Sequence, residues 1–315
     1  MPPGVLEVSR IALWKSALGC ALLLVLGLLL TGIRLDLASL APFATTLLPN
    51  ILLIPFRRSA EEIVPARVLD TLDCLALFSL FSALGAAGSY LVAMTTTGWV
   101  DGQLIALDRA MGFDWQANYA FISSRPLLST VTTLAYKSIF LSPAIVMIAL
   151  IWTGQAARAR AYIVATFLAL AITIAIFWWF PARSALLAIV GADFHYMPAT
   201  GVNHVEIIEA LRSGQLTAIS IGKLVGLITF PSFHASSALL FMWAAWSLPR
   251  LRVAMVAVNV AMLLATPVEG THYLVDVLGG LAVAALAIAS LYAVPKWLAR
   301  RPQPLDDFGW ADQPA

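Results

Sequence analysis

Thr271-His272-Tyr273-Leu274-Val275-Asp276-Val277-Leu278-Gly279-Gly280 opens an apolar run that continues to about Lys296. A helix needs about 20 apolar residues to cross a bilayer, and this run supplies them. His272 and Asp276, four apart, then share one helix face. A carboxylate at membrane depth costs roughly 2.5–3.5 kcal/mol on insertion scales, so an acid placed there is read as functional. Asp276 lies one turn beyond His272, where a carboxylate can hold one imidazole tautomer.

Upstream, Pro231-Ser232-Phe233-His234 stands at the start of another apolar run, in a chain with only four histidines. From His234 to Arg250 the chain descends about 24 Å as helix, and from Arg252 to His272 it rises about 30 Å. A tight hairpin of these two runs returns His272 to the depth of His234. Pro231 suits a first helical turn. Ser232 and the free amides beside it would face the same pocket, where a helix N-terminus favours an anion. Two histidines and an aspartate at one membrane face are the parts of a phosphoryl-transfer enzyme with a histidine nucleophile.

The composition supports the membrane reading. Of 315 residues, 61% are hydrophobic and 11% charged, and the mean hydropathy is +0.88. Soluble domains average about 25% charged residues. A net charge of +2 gives no reason to expect a nucleic-acid partner. Cys20 and Cys74 lie in apolar runs and read as packing residues. Arg10 and Lys15 precede an apolar run longer than a signal-peptide core, with no clear cleavage site after it, so an uncleaved first span is expected.

Seven spans are expected near 11–33, 73–97, 128–153, 160–180, 233–249, 252–270 and 274–296. An eighth candidate, 41–56, contains Pro42 and Pro49 and either crosses or re-enters. The fold expected is all-α, a polytopic transmembrane helical bundle. Its expected parts are an N-terminal region over 1–70, a membrane core over 71–298, and a disordered cytoplasmic tail over 299–315. The stretch 182–230 holds one amphipathic helix, about 204–213. Basic residues in short loops mark the cytoplasmic side. Arg57, Arg58 and Arg67, Arg158 and Arg160, Arg250 and Arg252, and Lys296, Arg300 and Arg301 all fall on one side by alternation. Both histidine motifs fall on the other. The protein is therefore expected to be embedded in the inner or plasma membrane, with its active face extracytoplasmic.

Blander readings exist for each residue alone. A histidine at a helix end usually packs or hydrogen-bonds, and Asp276 alone could pair with Lys137. No H-E-x-x-H or H-x-x-x-H spacing occurs, so no metal site is expected.

Phe230-Pro-Ser-Phe-His234-Ala and Thr271-His-Tyr-Leu-Val-Asp276-Val-Leu-Gly-Gly280 resemble the type 2 phosphatidic acid phosphatase superfamily. More closely they resemble its inositol-phosphotransferase branch, which includes inositol phosphorylceramide synthase. Asp108-Arg-Ala-Met-Gly-Phe-Asp-Trp115 also looks like bacterial members of that branch. The resemblance implies a six-helix phosphatase-like core and a covalent mechanism without metal or organic cofactor. His272 would attack phosphorus, Asp276 would orient it, and His234 would protonate the leaving oxygen. The substrate implied is a membrane lipid phosphate, with water, an alcohol or a lipid as acceptor.

Two of the superfamily's usual elements are missing. Ala265 and Thr266 occupy the S-R positions before His272, and Phe180-Pro-Ala-Arg183 lacks the K-x6-R-P spacing. Candidates to hold the phosphate are Arg183, Arg212 and Lys137, with Ser232 beside His234; Lys223 and Arg125 lie on the same side. Lys137 sits about ten residues into the third span, where a phosphate or Asp276 would be its partner. His195 and His204 read as loop residues. Asp108, Arg109 and Asp114 read as an interfacial helix. A second function class stays open, a transporter or lipid-binding scaffold using His and Asp as a proton relay. No internal symmetry of the kind transporters show is visible.

Overall fold

The computed structural model describes residues 5–299. The tail expected over 299–315 lies outside the described residues beyond its first position. Among the described residues the chain forms fourteen α-helices. These are α1 Arg10–Thr31, α2 Ala41–Leu53, α3 Arg57–Glu61, α4 Ala66–Thr95, α5 Asp101–Ala110, α6 Trp115–Ser123 and α7 Pro126–Lys137. They continue as α8 Ser142–Trp152, α9 Ala156–Trp179, α10 Ala185–Ile189, α11 His204–Arg212, α12 Phe233–Ala245, α13 Pro249–Glu269 and α14 Leu274–Ala299. The one sheet among them is a two-residue parallel pairing of Arg34–Leu35 with Ala218–Ile219.

Five helices are long and apolar enough to cross a membrane: α1, α4, α9, α13 and α14. The pair α7 and α8 makes a sixth if taken as one span bent by 51°. The bend falls where a 3-10 turn over Ser138–Phe140 meets Pro143 in the first turn of α8. Proline has no N–H to continue the ladder of the preceding turn. α12 is apolar but only 13 residues long. The amphipathic helix expected near 204–213 is α11.

α1 is bounded by local signals: Ser9 accepts from the Ala12 amide, and Gly32 closes the helix at φ 73°. α1 and α4 run in the same direction. Near their starts the Trp14 indole donates to Asp73 at 2.8 Å, and near their ends Leu28 clusters with Tyr90 and Ala93. The connection between them therefore returns through the height of the bundle, from the Arg34 pairing at one end to Arg57 at the other. There Arg57 meets Asp70 at 2.7 Å. Most of that return is α2, whose 13 residues include Pro49. At 1.5 Å per residue α2 rises about 20 Å, too short to span alone. The segment 41–56, expected either to cross or to re-enter, is a short helix with flanking turns and is not among the helices long enough to span.

The core joins α1, α4, α8, α9, α12, α13 and α14 through residues such as Leu77, Tyr162, Phe241, Met262 and Ala284. α1 turns Leu22, Leu29 and Leu30 outward, each more than half exposed. In water such a face would be costly; in lipid it is neutral, which fits a bundle with apolar solvent around it. Helices α12 and α14 approach so closely at Gly280 that an added Cβ would lie 2.1 Å from the Ser232 carbonyl oxygen. Small residues at such crossings let backbones meet. Ser236 uses the closeness, donating its hydroxyl to the Gly280 carbonyl at 2.7 Å.

Arg158, read from sequence as a loop charge, is buried. Its guanidinium donates to the carbonyls of Ala244 and Trp243 at the end of α12. Those carbonyls lie in the last turn of α12, where Trp243 also accepts the Trp246 amide, and the cation sits at the partly negative helix end.

Candidate active site

His234 is the second residue of α12, and His272 lies in the short link between Glu269 at the end of α13 and Leu274 at the start of α14. The descending and rising helices bring both to one end of the bundle, as their spacing predicts. Both line a cavity of about 230 Å³, together with Tyr136, His204, Thr229 and Gly270.

Asp276 sits behind His272 and is fully buried. Its Oδ2 accepts His272 Nδ1 at 3.2 Å and the Tyr273 amide at 2.9 Å. With Nδ1–H given to the carboxylate, the neutral ring keeps its lone pair on Nε2. Burial pushes the His272 imidazole down to about 4, so this neutral form persists at pH 7. The geometry is that of a nucleophile or base oriented by an acid.

His234 is held differently. The Tyr136 hydroxyl lies 3.1 Å from its Nδ1, and the two rings stack with centroids 3.9 Å apart. With the hydroxyl as donor, Nε2 bears the proton of the neutral ring. That Nε2 has no hydrogen-bond partner among the described residues. Tyr136 was passed over in sequence because Lys137 beside it carried the charge.

The turn carrying His272 is shaped by its neighbours. At Gly270 an added Cβ would stand 2.5 Å from His272 Cδ2 and 3.0 Å from Tyr136 Cε2, so only glycine lets the two rings approach. Thr271 follows at φ 53°, a region that β-branched residues rarely occupy. Its carbonyl accepts the Ala185 amide at 2.8 Å. Asp108 holds the start of α14, accepting the amides of Leu274 and Val275 at 2.8 and 2.9 Å. Trp115 donates its indole N–H to the carbonyls of His272 and Pro267. The segment expected as an interfacial helix therefore also clamps the His272 turn. Asp101 adds a third contact, accepting the Tyr273 hydroxyl at 2.7 Å.

Glu269, the last residue of α13, is fully buried. It accepts the hydroxyls of Thr132, Thr133 and Tyr196 and the Ala199 amide. Four donors satisfy it without a cation. It ties the loop before α11 to α7, and only the folded chain brings these donors together.

The phosphate-binding residues expected from sequence fall elsewhere. Ser232 is buried as the cap of α12, its Oγ accepting the Ala235 amide at 3.4 Å, and Pro231 precedes that cap instead of starting the helix. Ser232 does not line the cavity. Lys137 is turned outward from the buried Tyr136, exposed beside Tyr196, and does not meet Asp276. Arg183 and Arg212 pack over Trp99 at 5.5 and 4.2 Å, with Arg212 also donating to Thr96. Both belong to an outer rim. Among the described residues, no lysine or arginine lines the cavity. No three His, Cys, Asp or Glu side chains among them are grouped as metal ligands either.

His195 is exposed beside Ser123, as a loop residue should be. His204 is not a loop residue. It is the first residue of α11, is buried, faces the cavity, and bonds to the Arg183 carbonyl through Nε2.

A mostly helical, polytopic bundle with a His-Asp pair and a second histidine in one cavity defines the class of membrane phosphatases and phosphotransferases. The model of the PAP2 superfamily matches residues 102–290, and the chain belongs to that superfamily. Its members are phosphatases or phosphotransferases, so an enzyme is supported. Among curated proteins and solved structures, none matches the chain.

Proposed function

We propose that the protein is an integral-membrane phosphatase or phosphotransferase acting on a lipid phosphate, through a phosphohistidine at His272. The observation that carries this reading is the His272–Asp276 contact of 3.2 Å beside a His234 whose Nε2 has no partner. His272 Nε2 attacks phosphorus, forming a P–N bond as the bond to the lipid oxygen breaks. His234 enters as the imidazolium, with Nδ1–H donating to the Tyr136 oxygen, gives its Nε2 proton to that leaving oxygen and is left neutral. Water or an alcohol then attacks phosphorus, His234 takes the proton back, and the P–N bond breaks. Asp276 stabilises the charge that develops on the His272 ring, a role general to such dyads.

The extracytoplasmic placement of the site is supported by the charges. Arg10, Arg57, Arg158 and Arg250 gather at the bundle end opposite His272, the end that basic residues mark as cytoplasmic. The inositol-phosphotransferase reading within the superfamily is supported by Ala265 and Thr266, both fully buried in α13 where the expected Ser-Arg would stand.

The test is direct. Purified protein is incubated with a radiolabelled lipid phosphate and quenched. An acid-labile, alkali-stable phosphoprotein is expected, absent in His272→Ala and present in His234→Ala. A phosphoprotein that persists in His272→Ala would sink the proposal.

A further inference from the structure

We infer that His204 is the phosphate-holding cation of this site, taking the place of the arginine and lysine that line no part of the cavity. The inference rests on the phosphoryl-transfer reading above and deepens it. A phosphate carries at least one negative charge and needs donors or cations around it. The groups lining the cavity that can become cationic are His204, His234 and His272. His272 is committed through Nδ1 to Asp276, and His234 through Nδ1 to Tyr136. His204 is the histidine left without a chemical task.

Its setting suits a cation that forms only when an anion arrives. Nε2 bonds to the Arg183 carbonyl, which also accepts the Thr229 hydroxyl at 3.2 Å. Nε2 must therefore be the protonated nitrogen, because a carbonyl only accepts. Nδ1 is left as the second position. An empty cavity favours the neutral ring: burial lowers the affinity of His204 for a proton, and the nearby His272 adds to that. The Arg183 carbonyl and Asp101 act in the opposite sense. A bound phosphate tips this balance, placing a proton on Nδ1 between ring and phosphate oxygen. The proton comes from solvent, or from the minor monoanion of a phosphate monoester, whose second ionisation lies at about pH 6.

The location fits as well. His204 begins a nine-residue helix. The partly positive start of that helix lies beside the ring, and both would favour an anion in the cavity. Arg183 contributes through its backbone carbonyl while its side chain stays outside on Trp99. That explains how a site can bind phosphate with its nearest arginine turned away.

The experiment uses the full chain in detergent and two readouts. One is inorganic phosphate binding, read as thermal stabilisation. The other is the KM for a lipid phosphate. His204→Gln keeps an amide donor near the Nε2 position for the Arg183 carbonyl but carries no charge. It is expected to melt like the wild type without phosphate and to bind phosphate on the order of 10- to 100-fold more weakly, the worth of one charge-assisted hydrogen bond. Its KM should rise in step. His204→Ala reports loss of the structural contact as well. The inference is overturned if His204→Gln binds phosphate as the wild type does, or if Arg212→Gln is the variant that loses binding. Should the wild type turn over no phosphorylated lipid, the function proposed above fails, and the phosphate-binding comparison still decides for or against His204.

Discussion

The indole N–H of Trp115 donates to the backbone carbonyl of His272 at 2.9 Å, across 157 positions of sequence. With Asp108 holding the Leu274 and Val275 amides, this fixes the His272 turn from two sides. Trp115→Phe is expected to keep the packing against Tyr119 and lose the donor. kcat should fall by on the order of 10-fold or more, with KM little changed, because the group misplaced is the proposed nucleophile. Asp108→Ala should also cost about 1–2 kcal/mol of stability, as loss of a helix cap does. Steady-state kinetics and thermal melts of both variants check this. Wild-type kcat in Trp115→Phe would rule the clamp out.

Burial holds the His272 imidazole down at about 4, against an ordinary value of 6.5. The proposed nucleophile is thus neutral well into the acid range, and kcat/KM should fall on the acid side only as pH approaches about 4. The stability effect has a definite sign. Below about 6.5 the unfolded chain takes up a proton at this histidine that the folded chain refuses. The stabilisation present at neutral pH is lost as pH falls toward about 4. Melting curves from pH 7 to pH 4 should show a steeper decline for the wild type than for His272→Asn. Parallel declines would refute the sign.

Glu269→Gln puts an amide where three hydroxyls and an N–H converge. At least one buried donor loses its acceptor, at a cost of about 1–3 kcal/mol. The loop over 196–200 should become more open to proteases before the helices melt. Limited proteolysis of the folded protein measures it, and unchanged protection would count against this role.

Gly280→Ala and Gly19→Ala form a contrast. The first drives a methyl to 2.1 Å from the Ser232 carbonyl, while the second meets nothing within 4 Å. Gly280→Ala should cost about 1–3 kcal/mol by overpacking. Gly19→Ala should be neutral or stabilising by up to about 1 kcal/mol. Melting temperatures in detergent decide.

Sidedness is open to labelling in intact cells, with Cys20 and Cys74 replaced by serine. A cysteine at exposed Asp193 should react with an impermeant reagent, and one at exposed Arg250 should not. The reverse pattern would put the site on the cytoplasmic side.

Much of this could be read from local pattern. His272 and Asp276 are one turn apart, so a single helix puts them in contact without any tertiary knowledge. Apolar runs of span length announced the long helices. Roles that depend on distant partners stayed hidden. Tyr136 is one residue from Lys137, and only the rotation of α7 decides which faces His234. His204 sits in a stretch of glycines and polar residues that reads as loop, and its burial comes from packing. Glu269 stands at the end of an expected span, and nothing local shows the four donors from α7 and the loop over 196–200 that surround it. Ser232 was misread because a capping hydroxyl and a phosphate-binding hydroxyl have the same local signature.

The shortness of α12 bears on more than packing. Its 13 residues rise about 20 Å, against a hydrocarbon layer of about 30 Å. Arg158 meets its far end from within the bundle, so the deficit cannot all be taken up on that side. With the proposed site at its histidine end, a short α12 would set that site below the headgroup plane, and an acceptor would have to reach that depth. Turnover of the proposed reaction is then expected to vary with acyl-chain length in vesicles of defined thickness.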